Sequence, residues 1–203
     1  MNKRGKLFVI SAPSGAGKTT LCTKLMECYD NIRYSISFTT REPRFDEIDG
    51  KDYYFIDKDR FQKMIENDEF IEWALVHGNY YGTSKKLIMD YIKSGKDVLL
   101  DIDPQGARQL KNKLNYGIYI FIIAPSMRDL KSRLINRRTE SMDKIELRLQ
   151  NAKKEIAYFK EYDYIIVNKD INSSYKELES IYIAEHLKTT DIDKIEDIFD
   201  MED

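Results

Sequence analysis

Residues 7–20 read Leu-Phe-Val-Ile-Ser-Ala-Pro-Ser-Gly-Ala-Gly-Lys-Thr-Thr. The apolar run over residues 7–10 predicts a buried strand, the glycine-rich stretch predicts a turn, and Lys18 and Thr19 open a helix. Backbone N–H groups of such a turn point inward around phosphate oxygens, and the helix N-terminus adds a favourable dipole. The lysine reaches the β- and γ-phosphates, and the hydroxyl after it can ligate Mg²⁺. The stretch therefore predicts a site for a nucleoside triphosphate.

One position departs from the usual phosphate-loop pattern G-x-x-x-x-G-K-[S/T]. Ala12 stands at the first glycine, whereas Gly17, Lys18 and Thr19 match. Alanine is tolerated there if its φ stays negative, where a Cβ costs little. The alternative is a flexible turn before an ordinary helix, which the preceding strand and the following Lys-Thr-Thr argue against. The residues expected around the triphosphate are Ala12, Pro13, Ser14, Gly15, Ala16, Gly17, Lys18, Thr19 and Thr20.

Further along the chain, apolar runs of strand length alternate with helical patterns. Strands are predicted over residues 7–10, 98–102, 118–123 and 164–167. Helices are predicted over residues 19–28, 104–114, 126–136, 142–161 and 175–187. This alternation is typical of an α/β fold in which crossover helices cover a parallel sheet.

Residues 35–90 interrupt this alternation. Short strand signals lie at 35–40, 52–56 and 70–74, with Gly50, Gly78 and Gly82 marking turns between them. We therefore expect a β-rich insert between two parts of a core, 1–34 and 91–187, placed over the carboxyl ends of the strands where open α/β sheets bind ligands. Residues 188–203 form an acidic extension with seven carboxylates and two lysines. A docked or frayed helix is the favoured interpretation of that extension, and an acidic interaction tail is the alternative.

Composition narrows the functional classes. The 203 residues carry a formal charge of −2, which argues against nucleic acid as a partner. Cys22 and Cys28 form neither a zinc pattern nor a disulfide framework, which favours a reducing cytoplasm. No run approaches the ~18 apolar residues of a membrane span, and no signal peptide fits before the first strand.

The insert carries residues suited to a second phosphate group. Arg41 and Arg44 lie three apart, and two guanidinium groups can grip a phosphate bidentately. Tyr53 and Tyr81 supply phenols that can donate to phosphate oxygens. Glu72 is a carboxylate between apolar neighbours and matches the N1–H and N2 amine of guanine. Each could instead be a surface charge, a rim aromatic or an exposed strand residue, but together they predict a nucleoside monophosphate pocket.

Several motifs in order resemble the guanylate kinases. These are Ser37-x-Thr-Thr-Arg-x-Pro-Arg44, Gly50-Lys-Asp-Tyr-Tyr-Phe55, Phe70-Ile-Glu-Trp73, Gly78-Asn-Tyr-Tyr-Gly-Thr83, Asp101-Ile-Asp-x-Gln-Gly106 and Arg133-Leu-x-x-Arg-x-Thr-Glu140. The similarity runs from about residue 5 to 186. It implies a three-layer P-loop NTPase fold with a GMP-binding insert and a helical lid at about 126–150. It also implies Mg²⁺-dependent phosphoryl transfer from ATP to GMP by a monomer or homodimer.

The resemblance assigns roles position by position. It places Arg41, Arg44, Tyr53 and Tyr81 at the GMP phosphate. The guanine contacts fall on Ser37, Glu72 and Thr83, where many relatives have serine in place of Thr83. Asp101 and Asp103 fall near the metal and GMP, with a helix N-cap as the alternative for Asp103. The catalytic residues that it implies are Lys18, Arg41 and the lid arginines Arg133, Arg137 and Arg148. It places Thr19 at Mg²⁺, and Asp101 there through a water molecule. It places Asn168 near adenine.

Two rival functions share this fold. The first is a catalytically inactive guanylate-kinase-like module that binds phosphorylated peptides, but such modules usually lack an intact phosphate loop and lid. The second is a kinase for another phosphorylated acceptor, against which Glu72 and the Ser37 and Thr83 hydroxyls argue. Arg138 replaces the glycine usual between Arg137 and Thr139, a change that could stiffen or recharge the lid.

Overall fold

The computed structural model describes residues 4–76, 78–114, 116–136 and 141–188. The strands are β1 Leu7–Ser11, β2 Ile32–Tyr34, β3 Phe38–Thr39, β4 Tyr54–Phe55, β5 Phe70–Val76, β6 Asn79–Ser84, β7 Asp97–Asp101, β8 Ile118–Ile123 and β9 Tyr164–Val167. The helices are α1 Lys18–Cys28, α2 Lys58–Glu66, α3 Lys85–Lys93, α4 Pro104–Lys113, α5 Met127–Asn136, α6 Met142–Ile156 and α7 Ile171–His186, with a 3₁₀ turn at Ala157–Glu161.

A five-stranded parallel sheet in the order β2-β7-β1-β8-β9 forms the centre of the protein. Because side chains alternate across a strand, β1 sends Phe8 and Ile10 to one face and Leu7 and Val9 to the other. Helices α1 and α7 cover the first face, and α3 and α4 cover the second. The predicted three-layer α/β fold is therefore confirmed, with β2 as a short strand that the sequence pattern did not indicate.

The insert forms a second sheet in the order β4-β3-β6-β5. Its core is aromatic: Phe61 of α2 stacks on Phe70 at 4.4 Å and on Tyr80 at 5.2 Å between ring centroids. The prediction of a β-rich insert omitted α2, which Asp57 caps by accepting a hydrogen bond from the Arg60 N–H.

The expected end of the insert at residue 90 falls inside α3, which the sequence reading also omitted. Ile88 and Ile92 of this helix pack in the core of the parallel sheet, so α3 belongs to that core. The second sheet itself ends with β6 at Ser84.

Helices α5 and α6 form the region predicted as a lid. They share a separate apolar cluster of Leu130, Leu134, Ile145, Leu149 and Ala152. Helix α7 begins four residues before its predicted start because Asp170 caps it, accepting from the N–H groups of Asn172 and Ser173. Arg137, Arg138 and nearly all of the acidic extension lie outside the described residues. Within the described ranges, no helix is long and apolar enough to cross a membrane.

Candidate active site

The turn between β1 and α1 has the backbone geometry of a phosphate loop. Gly15 and Gly17 have φ of 91° and 100°, which L side chains rarely adopt. The Ala16 N–H donates to the Pro13 carbonyl at 3.0 Å and closes the turn. Asp68 is the only non-glycine residue with positive φ in the described part of the chain, so Ala12 keeps the negative φ that its Cβ requires.

Lys18 and Thr19 stand at the start of α1, beside a pocket of about 310 Å³. The loop, Asp101 and Glu155 line this pocket, and the Lys18 ammonium forms an ion pair with Asp101 at the end of β7. Burial lowers the pKa of Lys18 from 10.5 to about 8. The lysine is therefore held in place but poorly solvated, and it would gain from the approach of an anion. Thr20, also predicted at this site, is exposed and lines a neighbouring open pocket.

Asn168, which follows β9, forms a side-chain hydrogen bond with the backbone of the phosphate loop. Its buried side-chain amide donates to the Ala16 carbonyl at 2.8 Å. A Cβ at Gly17 would lie 2.2 Å from the same amide nitrogen, so this contact requires glycine at residue 17. In this conformation the Asn168 amide is occupied by the loop, and its expected proximity to adenine stays a prediction.

Two of the three lid arginines predicted to be catalytic lie within the described residues, and both contact the phosphate loop. Arg133 of α5 donates to the Asn168 carbonyl at 2.6 Å and to the Ala16 carbonyl at 3.3 Å. Arg148 of α6 donates to the Ser14 hydroxyl. The two arginines thus tie α5 and α6 to the loop, while their predicted contacts with phosphate oxygens remain predictions.

In the insert, Arg41, Tyr53 and Tyr81 form one cluster. The Arg41 Nε–H donates to the Tyr81 hydroxyl at 3.3 Å, and its guanidinium lies 5.5 Å from the Tyr53 ring centroid. Glu47 completes the cluster with an ion pair to Arg41 at 2.7 Å, and it also accepts from the Arg44 backbone N–H at 2.8 Å. The sequence reading missed Glu47; the signal was a carboxylate in the same loop as the two predicted arginines.

Glu72 and Thr83 form a buried pair on neighbouring strands. They lie opposite each other in the β5–β6 ladder, and the Thr83 hydroxyl donates to Glu72 Oε1. Burial raises the pKa of Glu72 to about 7. This burial excludes the interpretation of Glu72 as an exposed strand residue. Ser37, the other predicted base contact, lines a separate small pocket with Tyr53 and Asp101.

Asp101 lies where the two predicted sites meet. It lines the pocket over the phosphate loop, and it also lines a pocket in which Thr19 of the core faces Tyr53 and Glu47 of the insert. Asp103 caps α4, accepting from the N–H groups of Gln105 and Gly106 through Oδ1 at 2.7 and 3.0 Å. The alternative interpretation of Asp103 as an N-cap is thus correct, and it leaves the predicted contact of this residue with GMP open.

The site suits a magnesium ion only if the phosphate oxygens of a nucleotide supply part of its coordination. Among the described residues, no group of three or more His, Cys, Asp or Glu side chains could hold a metal ion. Thr19 and Asp101 nevertheless offer two oxygen donors to the phosphate-loop pocket. Mg²⁺ in nucleotide sites usually takes one or two protein ligands plus phosphate oxygens and water, so the donors present fit that arrangement.

Glu155 of α6 is a further acidic group that the sequence reading missed. Its half-buried carboxylate lines the phosphate-loop pocket, and burial raises its pKa. The signal was weak, since one glutamate within a charged helix has nothing to set it apart.

Comparison with known proteins agrees with this geometry. The family model described as guanylate kinase matches residues 4–185. A guanylate kinase of Geobacter sulfurreducens is 47% identical over 203 residues and is covered over its full length, as is this chain. One from Clostridioides difficile is 46% identical over 188 residues, covering 93% of this chain and 92% of its own.

Among solved structures, a crystal structure of guanylate kinase from Anaplasma phagocytophilum superposes with a TM-score of 0.74. It is 38% identical and covers 92% of this chain and 89% of its own. The family model covers nearly the whole chain. It therefore includes the phosphate loop, the arginine–tyrosine cluster and the buried carboxylate. The chain belongs to the guanylate kinase family of nucleoside monophosphate kinases.

Proposed function

We propose that the chain transfers the γ-phosphoryl group of ATP to GMP, giving ADP and GDP. One observation carries the proposal: Asp101 lines both the phosphate-loop pocket and an adjoining pocket, and Tyr53 and Glu47 of the arginine–tyrosine cluster line the second one. Two phosphate-binding sites so placed suit a donor and an acceptor that must meet in line.

The donor side binds the triphosphate through the loop N–H groups and Lys18. Since Lys18 is buried beside Asp101, its ammonium is oriented before substrate arrives and needs little rearrangement during transfer. In the proposed cycle, Arg133, Arg137 and Arg148 neutralise charge on the moving phosphoryl group once the lid closes. Thr19, with Asp101 through water, would hold Mg²⁺, which would supply charge neutralisation when bound.

The acceptor side reads both ends of GMP. Arg41 already donates to Glu47, to Tyr81 and to the Glu42 carbonyl, so its guanidinium plane is fixed and its remaining N–H groups can meet a phosphate. Arg44 and Tyr53 add donors at the same end. At the base end, Glu72 accepts from guanine and the Thr83 hydroxyl holds the carboxylate.

No covalent intermediate is needed. The acceptor is a phosphate oxygen that is already ionised at neutral pH, so no strong general base is required, and catalysis rests on positioning and electrostatics. Closure of the insert and lid over the substrates excludes water and limits hydrolysis of ATP.

The test is a coupled ADP-release assay with ATP, Mg²⁺ and each of GMP, AMP, CMP and UMP. Release with GMP alone supports both the phosphate site and the base reader. Release with another acceptor retains the kinase and refutes the guanine assignment. No release from a folded protein that binds GMP would favour the peptide-binding module, and omission of Mg²⁺ tests the metal.

A further inference from the structure

Gly106 occupies a buried position in the first turn of α4 where its backbone does not require glycine. Its φ is not positive, and glycine inside a helix is less favourable than alanine. A Cβ at this residue would lie 2.9 Å from Glu72 Oε2 and 3.5 Å from Glu72 Cδ. The first distance is shorter than real Cβ contacts, so alanine at residue 106 and the carboxylate cannot both keep their positions.

Glu72 has little room to yield. Its side chain is buried at 6% exposure, and its Oε1 accepts from the Thr83 hydroxyl. The β5–β6 ladder also shifts register between Phe70 and Glu72, and a bulge of this kind re-aims the following side chain. Thr83 therefore holds one oxygen, and the bare Cα of Gly106 provides the space for the other.

We propose that Gly106 is a specificity-determining position for the acceptor base, because it sets the orientation of the Glu72 carboxylate. The inference rests on the proposed function, in which Glu72 reads guanine. Guanine presents N1–H and the N2 amine side by side, so both hydrogen bonds form only if the two carboxylate oxygens face that edge together. Hypoxanthine, the base of IMP, has only the N1–H. A rotated carboxylate consequently loses more with GMP than with IMP.

The experiment measures dissociation constants of GMP, IMP and ATP by calorimetry for wild type, Gly106→Ala and Asn112→Ala. Asn112 is exposed on the same helix, so its alanine variant gains helix propensity without approaching Glu72. We expect Gly106→Ala to weaken GMP about tenfold, the equivalent of one charge-assisted hydrogen bond. IMP should weaken less, ATP should be unchanged, and Asn112→Ala should match wild type. An unchanged GMP/IMP ratio in Gly106→Ala overturns the inference.

A second pair of variants covers the case in which Gly106→Ala does not fold. Truncation in Glu72→Ala removes the atoms that the new Cβ would meet, so Glu72→Ala/Gly106→Ala should fold as well as Glu72→Ala by thermal denaturation. If the double variant also fails to fold, the glycine serves packing alone and the inference is wrong. The proposed function fails separately: wild type that binds GMP and IMP equally has no base reader of this kind.

Discussion

Replacing Glu72 with glutamine should stabilise the free protein while damaging its recognition of GMP. Burial raises the pKa of Glu72 from 4.5 to about 7, so the folded state prefers the protonated acid. Ionising this carboxyl lowers the free energy of unfolding. The loss is negligible below the unfolded pKa near 4.5, grows as pH rises, and reaches its full size above about pH 7. The full cost at pH 8 is about 3 kcal/mol, and at pH 5 it is under about 1 kcal/mol.

Glutamine is neutral at every pH and keeps an oxygen that can accept from Thr83, so the variant avoids this cost. Urea unfolding should show Glu72→Gln more stable than wild type by up to about 3 kcal/mol at pH 8, with a much smaller difference at pH 5. Asn112→Ala serves again as a control without pH dependence. A gain that is absent at pH 8, or equal at the two pH values, would refute the reasoning that the folded protein holds an unfavourable carboxylate.

Glu72→Gln should weaken the binding of GMP even though it stabilises the free protein. The glutamine amide group presents a donor to one of the two donors of guanine, so at least one charge-assisted hydrogen bond becomes a donor–donor contact. A loss of about 3 kcal/mol corresponds to roughly a hundredfold higher KM for GMP. The KM for ATP should stay within about twofold, because the phosphate loop is untouched. Unchanged preference for GMP over the other nucleotides would show that Glu72 does not read the base.

Three further variants test other parts of the structure. Lys18→Ala should lower kcat by at least about a hundredfold while the Kd for GMP changes little, and normal turnover would exclude the phosphate-loop assignment. Asn168→Ala removes the donor to the Ala16 carbonyl, and calorimetry with thermal unfolding should show weaker ATP binding and about 1–2 kcal/mol less stability. Asp97 raises the pKa of His186, so the charged histidine stabilises the folded protein. His186→Gln should therefore lower the free energy of unfolding by up to about 1 kcal/mol at pH 6, a figure discounted for the partial exposure of the pair. The stabilisation is lost as pH rises through the folded pKa, so an equal loss at pH 9 would contradict this prediction.

Local signals in the sequence predict the core of this fold well. Each of the four predicted core strands became a strand of the parallel sheet, three of them central and β9 at its edge, and the phosphate loop formed between the first strand and helix as expected. The sequence analysis missed helices α2 and α3, although the N-caps Asp57 and Ser84 precede them. The strand patterns on either side led to the prediction of a β-rich segment there. Strand β2 has three residues, too few for any periodicity to appear.

Partners distant in sequence could not be predicted from spacing. Lys18 pairs with Asp101, 83 residues away, and the Asn168 amide reaches the Ala16 carbonyl across 152 residues. A glutamate in an apolar stretch suggests a function, but its burial beside Gly106 depends on how α4 meets β5. Such contacts arise from the packing of one element on another, which no local pattern records.

Helix α4 connects the two sites that we propose for the donor and the acceptor. It begins directly after β7, whose last residue Asp101 pairs with Lys18 at the donor site. Its cap Asp103 fixes the first turn, and Gly106 in that turn lies against Glu72 at the acceptor site. The end of β7 and the first turn of α4 thus connect the ammonium that we propose binds the donor with the carboxylate that we propose reads the acceptor base. In-line transfer requires the reacting atoms to be placed within a fraction of an ångström, and a capped helix packed on both sheets meets that requirement better than a loop would.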